Sequence, residues 1–332
     1  MSVTIVYPPT IDFAFMRQRP QQLMIQFAQH GHRVFYCDKT QRSGREPEEV
    51  VPNLWVVPDH DRFVREVVPT LDKTVVWCSW AYLHGGLAAY QPRLVIFDCV
   101  DDFPEWRPYE ASMLARADAV VASSTALEAR LQPLHQRVAL VPNGCDFPFF
   151  NAPPAGPLPS DFPRSRRPRV VFVGAWGSWV DSHLITQISK QLPLWDFILI
   201  GPDFGGRPVF GHNIHRLGVR PYERLPAYLH QMDVTIIPFQ DNQVTRAANP
   251  VKLWEYLATG KPVVSTPLPE VLPLQGLVHI AGASDFARAI QVAFHDRTHN
   301  PGAAERRVAA AKANSWEARY EAITRFLPEL AR

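Results

Sequence analysis

The sequence predicts an α/β protein of two Rossmann-like domains whose parallel sheets face each other across a cleft. Three observations carry that prediction. Short β-branched and aromatic runs alternate with helix-period segments along the chain, the pattern of parallel α/β sheets. At 332 residues the chain exceeds the roughly 250–300 residues at which a single hydrophobic core stops growing. One stretch, NAPPAGPLPSDFPRSRRP at 151–168, interrupts the series with proline, small and charged residues and no apolar period. That is the composition of an interdomain linker.

In the first series, strands are expected at 3–7 (VTIVY), 33–37 (RVFYC), 54–57 (LWVV), 74–78 (TVVWC), 94–98 (LVIFD), 118–122 (DAVVA) and 138–141 (VALV). Between the first two, Leu23, Met24, Phe27 and Ala28 fall on one helical face and Gly31 supplies a stop. After the linker, strands are expected at 169–173 (RVVFV), 197–201 (FILIG), 233–238 (DVTIIP), 262–265 (PVVS) and 278–281 (VHIA), with helices at 182–191 and 284–295. A final helical segment over 302–330 is too long to close the second sheet only, and has the length to cross back to the first domain. The expected division is 1–155, a Pro-rich linker 156–168, 169–314, and a terminal helix 315–332 packing back on the N-terminal domain.

Composition narrows the function classes. The chain is 46% hydrophobic and 20% charged, with 34 Lys+Arg against 32 Asp+Glu. A soluble globular protein fits, and a surface built to coat nucleic acid does not. Its 32 prolines against 17 glycines invert the average usage of about 5% and 7%, yet they scatter among apolar runs instead of forming repeats. Cys37, Cys78, Cys99 and Cys145 are widely spaced and form no CxxC pair, as expected of reduced thiols. MSVTIVYPP at the start has neither a basic n-region nor an apolar h-region, and no run approaches 18 apolar residues. The expectation is a cytoplasmic protein, compatible with peripheral contact at the inner membrane face. Nothing in the sequence speaks to oligomeric state.

Ligands of open α/β sheets bind outside the carboxyl ends of the strands. The most informative segment there is TRAANPVKLWEYLATGKPVVST at 245–266. Asn249 suits an N-cap, Pro250 the first helical position, and Gly260 the left-handed residue past the end. Lys252 then lies in the first turn, beside Val251 and the free N–H groups of a helix N-terminus, which is a phosphate site in charge and geometry. Glu255, one turn deeper on the same face, is placed to accept from a ribose diol. The competing reading is an ordinary surface Lys–Glu pair at i,i+3. Against it, the chain has only six lysines, and Lys252 and Lys261 bracket this helix.

NPVKLWEYLATGKPVVST resembles the nucleotide-sugar-binding segment of GT-B glycosyltransferases. Further matching stretches are RQRPQQLMIQFAQHGHRVFYCD (17–38), FDCVDDF (97–103), ADAVVASSTALEARL (117–131), LVPNGCDFPFF (140–150), VVFVGAWGSWVDSHLI (170–185) and LPAYLHQMDVTIIPF (225–239). Their order and spacing are similar to those of bacterial teichuronic-acid-type and other polysaccharide glycosyltransferases, and more distantly to xanthan-type glucuronosyltransferases. The resemblance implies transfer of a sugar from a nucleoside diphosphate, UDP by family frequency, to a hydroxyl on a sugar, a lipid-linked acceptor or a small molecule. It implies no required metal or other cofactor, since basic side chains and a helix N-terminus neutralise the leaving group. Lys252 and the 249–252 helix start match that role, and Glu255 matches the ribose-binding glutamate.

Two departures stand out. Many retaining relatives carry another glutamate eight residues before this one, where this chain has Ala247, and the usual Arg or Lys after the first glycine of the second domain is replaced in Gly174-Ala175-Trp176. Gly174, Trp176 and Asp181 of the GAWGSW loop remain donor-site candidates, with a tight turn packed by tryptophans as the alternative. For the base, Asp98, Asp101 and Asp102 cluster after a strand, and neighbouring carboxylates raise one another's pKa. Asp101 is the first choice and Asp102 the second, unless Asp102 caps the next turn. An aspartate there without the first glutamate tilts the reading toward inversion. Arg17 and Arg19, before the first helix, fall where the family faces its acceptor; the alternative is a pair of surface arginines.

Other chemistries fit less well. Asp59-His60-Asp61 imitates a metal-binding DxD, but the single-domain fold that uses it leaves the second α/β series unexplained. Neither GAWGSW nor GPDFGG is the GxGxxG of a nicotinamide site, and HExxH and GxSxG are absent. A GT-B-fold sugar-nucleotide epimerase and a noncatalytic nucleotide-sugar-binding subunit both stay compatible with the sequence.

Overall fold

The computed structural model describes residues 2–154, 159–163, 165–300 and 302–331. The chain divides into two compact units, one formed by Met1–Asn143 with Trp316–Arg332 and the other by Gly144–Ser315. Residues 156–158 and 164 of the expected linker lie outside the described residues. Its described part is packed in the second unit: Phe162 lies against Tyr228 and under the Arg169 guanidinium, and Asp161 accepts from the Tyr228 hydroxyl at 2.8 Å.

In the first unit, β1 (Thr4–Tyr7), β2 (Arg33–Cys37), β3 (Glu48–Val51), β4 (Leu54–Val57), β5 (Thr74–Cys78), β6 (Leu94–Cys99), β7 (Ala119–Ala122) and β8 (Val138–Leu140) form one sheet in the order β3-β4-β2-β1-β5-β6-β7-β8. All pairs are parallel except β3 with β4. The four residues of β1 and the five of β5 are all buried, as strands covered on both faces must be. The helix Arg19–Gln29 starts with a Gln18/Gln21 capping box and Pro20, buries Leu23, Met24, Phe27 and Ala28, and stops at Gly31, whose φ of +76° favours glycine. The helix Trp316–Phe326 packs on it, with Tyr320 edge-on to Phe27 and stacked on His30.

The second unit's sheet runs β11-β10-β9-β12-β13-β14, all parallel, from β9 (Arg169–Val173), β10 (Asp196–Ile200), β11 (Ile214–Gly218), β12 (Val234–Ile237), β13 (Val263–Ser265) and β14 (His279–Ile280). The period-two alternation of strand side chains divides its core cleanly. Val171, Val173, Ile198 and Ile200 join Leu253 and Leu257 of the helix Val251–Ala258 on one face, whereas Val170, Phe172, Phe197 and Leu199 join Leu184, Ile188 and Ile290 on the other. Strand order reverses between β9 and β12, so the ends of these strands are where this sheet presents a ligand crevice.

The terminal helical segment is broken at Asn314-Ser315 into Ala303–Ala313, which packs on Val251–Ala258 in the second unit, and Trp316–Phe326 in the first. No helix of the described residues is long and apolar enough to cross a membrane.

Candidate active site

Beyond β12 the chain passes through a short capped helix, Gln243–Arg246, and Ala247 to the helix Val251–Ala258. Pro250 is extended (φ −68°, ψ 113°), so helical geometry begins at Val251, one residue later than the sequence suggests. Asn249 is therefore not the cap. Its Nδ2 donates instead to Glu270 Oε2 at 2.9 Å, and Glu270 belongs to the loop that follows β13. Sequence reading missed Glu270; the only signal was a carboxylate in a proline-rich loop just beyond a strand end.

Lys252 Nζ donates to Glu255 Oε2 at 2.8 Å, with the lysine 25% and the glutamate 1% exposed. The i,i+3 pair of the alternative reading is thus formed, with its glutamate inside the protein and its lysine partly in solvent. Glu255 lies beneath the helix start, and burial pushes its carboxyl above the usual range; Lys252 opposes the shift and Asp146 adds to it. Lys252 thus stands in the first turn of the helix, tied to a buried carboxylate and still partly open to solvent.

At the end of β9, Gly174 N donates to Ile200 O at 2.9 Å. Gly201 opposite has φ +144°, and a Cβ there would stand 1.9 Å from Gly174 O. Two glycines thus let β9 and β10 come together beside a cavity of about 240 Å³, lined by Gly174, Trp176, Gly201, Asp203, Arg216 and Gly218 among others. Trp176 is not an open stacking surface. It is 3% exposed, donates from Nε1 to Arg207 O at 2.9 Å, packs edge-on to Phe172, and carries the Arg216 guanidinium over its ring. Asp181 is an N-cap, accepting from Leu184 N at 2.9 Å at the start of the helix Ser182–Gln191. A carboxylate seated there repels a phosphate from that helix end, which removes Asp181 from the donor contacts.

In the first unit the three aspartates after β6 have three different surroundings. Asp98 is fully buried and receives the Arg19 guanidinium at 2.8–3.0 Å and Trp77 Nε1 at 3.0 Å. Asp102 is gripped by Arg107 at 2.7 and 3.1 Å, with Arg130 at 3.7 Å. Held between two guanidinium groups, it does not cap the following turn, whose N-cap is Phe103. Asp101 is half-buried and lines a small cavity of about 10 Å³ with Ser79, Phe103 and Trp106. Desolvation pushes its carboxyl up to about 7; Arg19 opposes this and Asp102 reinforces it. A carboxyl so placed can exchange a proton near neutrality.

The structure also corrects Arg19. It is 3% exposed, and besides Asp98 it reaches Val141 O at 2.9 Å, Pro142 O at 3.3 Å and Asn143 Oδ1 at 3.2 Å. All its forks are used within the protein, so it ties the first helix to the ends of β6 and β8 and does not face an acceptor. Arg17, two residues earlier, is half-buried. The Asp59-His60-Asp61 run is likewise structural: Asp59 accepts from Gly44 N at 2.6 Å and caps a turn through Arg62 N at 3.1 Å. Among the described residues no group of three or more His, Cys, Asp or Glu is arranged to hold a metal ion.

Taken together, two parallel-sheet α/β units, each with polar groups gathered at its strand ends, define a GT-B fold. Sucrose-phosphate synthase from Thermosynechococcus elongatus superposes with a TM-score of 0.75 over 99% of both chains at 16% identity. Anabaena HepE in complex with UDP-glucose does so at 0.73, over 99% of this chain and 100% of that one, again at 16% identity. Residues 167–296 form a domain that matches the family described as glycosyl transferases group 1. Over 176 residues the chain is also 30% identical to TuaH of Bacillus subtilis (strain 168), which is named for teichuronic acid biosynthesis as a glycosyltransferase. That alignment covers 50% of this chain and 44% of TuaH, so it spans under half of the relative's length.

Proposed function

We propose that the protein is a glycosyltransferase that moves a sugar from a nucleoside-diphosphate sugar to an acceptor hydroxyl in the biosynthesis of a cell-surface polysaccharide or glycoconjugate. The observation that carries the reading is the half-buried Lys252–Glu255 pair at the start of the helix Val251–Ala258, inside the region similar to group 1 glycosyl transferases. Lys252 and the first-turn N–H groups, including that of Val251, neutralise the diphosphate as the bond to the sugar breaks, so charge compensation asks no metal ion of the site. Glu255 accepts from the ribose diol, and Asn249 with Glu270 holds the loop beside it. The cavity at Gly174 takes part of the donor, with Trp176 as its wall. UDP is the favoured carrier, supported by the UDP-glucose complex of the HepE neighbour.

On the acceptor side, Asp101 removes the hydroxyl proton as the acceptor oxygen attacks the anomeric carbon and the diphosphate departs with the bonding electrons. A base on this side, together with Ala247 eight residues before Glu255, favours inversion of configuration. The test is incubation with a panel of UDP- and GDP-sugars. Slow release of free nucleoside diphosphate is the expected result. Interconversion of donors makes the protein an epimerase, and binding without either reaction makes it a noncatalytic subunit. Lys252→Met paired with Glu255→Gln, which avoids stranding a buried carboxylate, should weaken UDP binding roughly tenfold or more. Unchanged affinity removes the pair from the site.

A further inference from the structure

The strand ends of the first unit carry a feature that the base assignment does not use. After β5 the chain enters Ser79-Trp80 and a 3-10 helix, Ala81–Tyr90, and after β6 it enters the helix Arg107–Leu114, which packs on the first. Along this junction the aromatic rings follow one another. Trp80 lies 5.1 Å from Tyr82, Tyr82 stands edge-on to Tyr109 at 4.9 Å, and His84 stacks on Tyr109 at 6.2 Å. Tyr82 is 53% exposed, while Trp80, His84 and Tyr109 are half-buried. The row borders the small cavity of Asp101, whose rim includes Ala81 from this same helix and Trp106 from the far side.

From this geometry we infer that Trp80, Tyr82 and Tyr109 form a stacking platform for an uncharged sugar ring of the acceptor, which delivers its hydroxyl to Asp101. The inference rests on the proposed function and names the acceptor's chemical class.

Four arguments select that class. Aromatic faces carry negative quadrupole charge, and the C–H groups on one face of a pyranose are weakly positive, so the two stack while hydroxyls point outward to polar partners. The platform supplies such partners at its edges in the tyrosine hydroxyls, that of the exposed Tyr82 first among them. Charge argues against a phosphorylated acceptor. The guanidinium groups of Arg19, Arg107 and Arg130 at these strand ends are matched by Asp98, Asp102 and Glu110, which leaves Lys39, over one face of the Trp80 ring at 5.0 Å, to set one positive charge against the roughly two negative charges of a phosphate monoester. A hydrocarbon chain fits poorly for a different reason, since each exposed ring ends in a polar tip.

The experiment is saturation-transfer NMR on the full chain with cellobiose, maltose and chitobiose, and separately with glucose 6-phosphate and phosphatidylglycerol vesicles, UDP binding being measured in parallel. A neutral disaccharide should bind, and Tyr82→Ala or Tyr109→Ala should weaken it roughly fivefold to tenfold, with UDP affinity and melting temperature unchanged. Tyr82→Phe should restore most of the binding, because the ring does the stacking. Preference for glucose 6-phosphate or for vesicles overturns the inference, as does disaccharide binding that ignores both alanine variants, or no disaccharide binding at millimolar concentrations. Loss of UDP binding in the unaltered protein counts against the proposed function instead, so the two failures are distinct.

Discussion

Asp101 and Arg19 show opposite uses of a charged side chain within one unit. With its carboxyl pushed up to about 7 from the ordinary 3.8, Asp101 must lose its proton to act as a base. The rate of transfer should therefore rise with pH through about 7, and Asp101→Asn should lower kcat by roughly 100- to 10,000-fold while leaving UDP affinity unchanged. Stability runs the other way. The folded state holds this proton more tightly than the unfolded one, so the aspartate's contribution is present at low pH and lost as pH rises through about 7. Asn, which cannot ionise, should then raise the melting temperature at pH 8 by roughly 2–4 °C, on the order of 1 kcal/mol after allowing for partial solvent access; a lower melting temperature contradicts the assignment. Arg19→Ala should have a different signature. It strands Asp98 without its counter-charge and costs about 3–5 kcal/mol, visible in denaturant unfolding, whereas an acceptor-contacting arginine would leave stability alone. Nothing local in the sequence distinguishes Arg19 from Arg17. The partner that fixes its role is 79 residues away, and such pairings become visible only once β6 lies beside the first helix.

At the scale of elements, apolar periodicity was a sound guide where both faces of a strand are covered. Twelve strands coincide with runs such as RVVFV and TVVWC. Two more among the described residues, β3 and β11, lie outside those runs, each at one of the two edges of its sheet. EEVV is largely exposed and IHRLG holds no buried residue, so tertiary pairing and not a continuous apolar run makes them strands. The helix Val251–Ala258 was legible through its period and through Gly260, at φ +73°, but its first residue was not, because Pro250 suits an extended entry as well as a first helical turn. The close approach of β9 and β10 yields a sharp expectation. Gly201→Ala combines an unfavourable φ with a Cβ 1.9 Å from a backbone oxygen, so the strand ends must separate. A loss of roughly 3 kcal/mol or more should appear in thermal unfolding, and wild-type stability would refute the reported approach of the two strands.

Over the whole molecule, the same chain contributes to the first unit at both its ends. Trp316, Tyr320, Ile323, Leu327 and Leu330 are buried there, each worth roughly 1.5–3 kcal/mol of apolar burial. Truncation after Ser315 should accordingly loosen β1 and β2 while leaving β9 to β13 protected, a contrast that hydrogen exchange resolves strand by strand; equal loss in both sheets would speak against two separately built cores. The sequence suggests that the last helix returns to the first unit, as it does, but it places the boundary in the proline-rich stretch, whose described part packs in the second unit; the division falls earlier, at Asn143. The ends of each unit are adjacent. Cys145 N donates to Asn314 O at 3.2 Å within the second unit, and Arg319 Nε and Nη2 both hold Asn143 O at 3.0 Å within the first. The second unit is thus a closed insert, entered and left at one doorway, and the first unit is a frame interrupted at that single place. Such a layout lets residues 144–315 be exchanged as one cassette, without redesign of the frame that receives it.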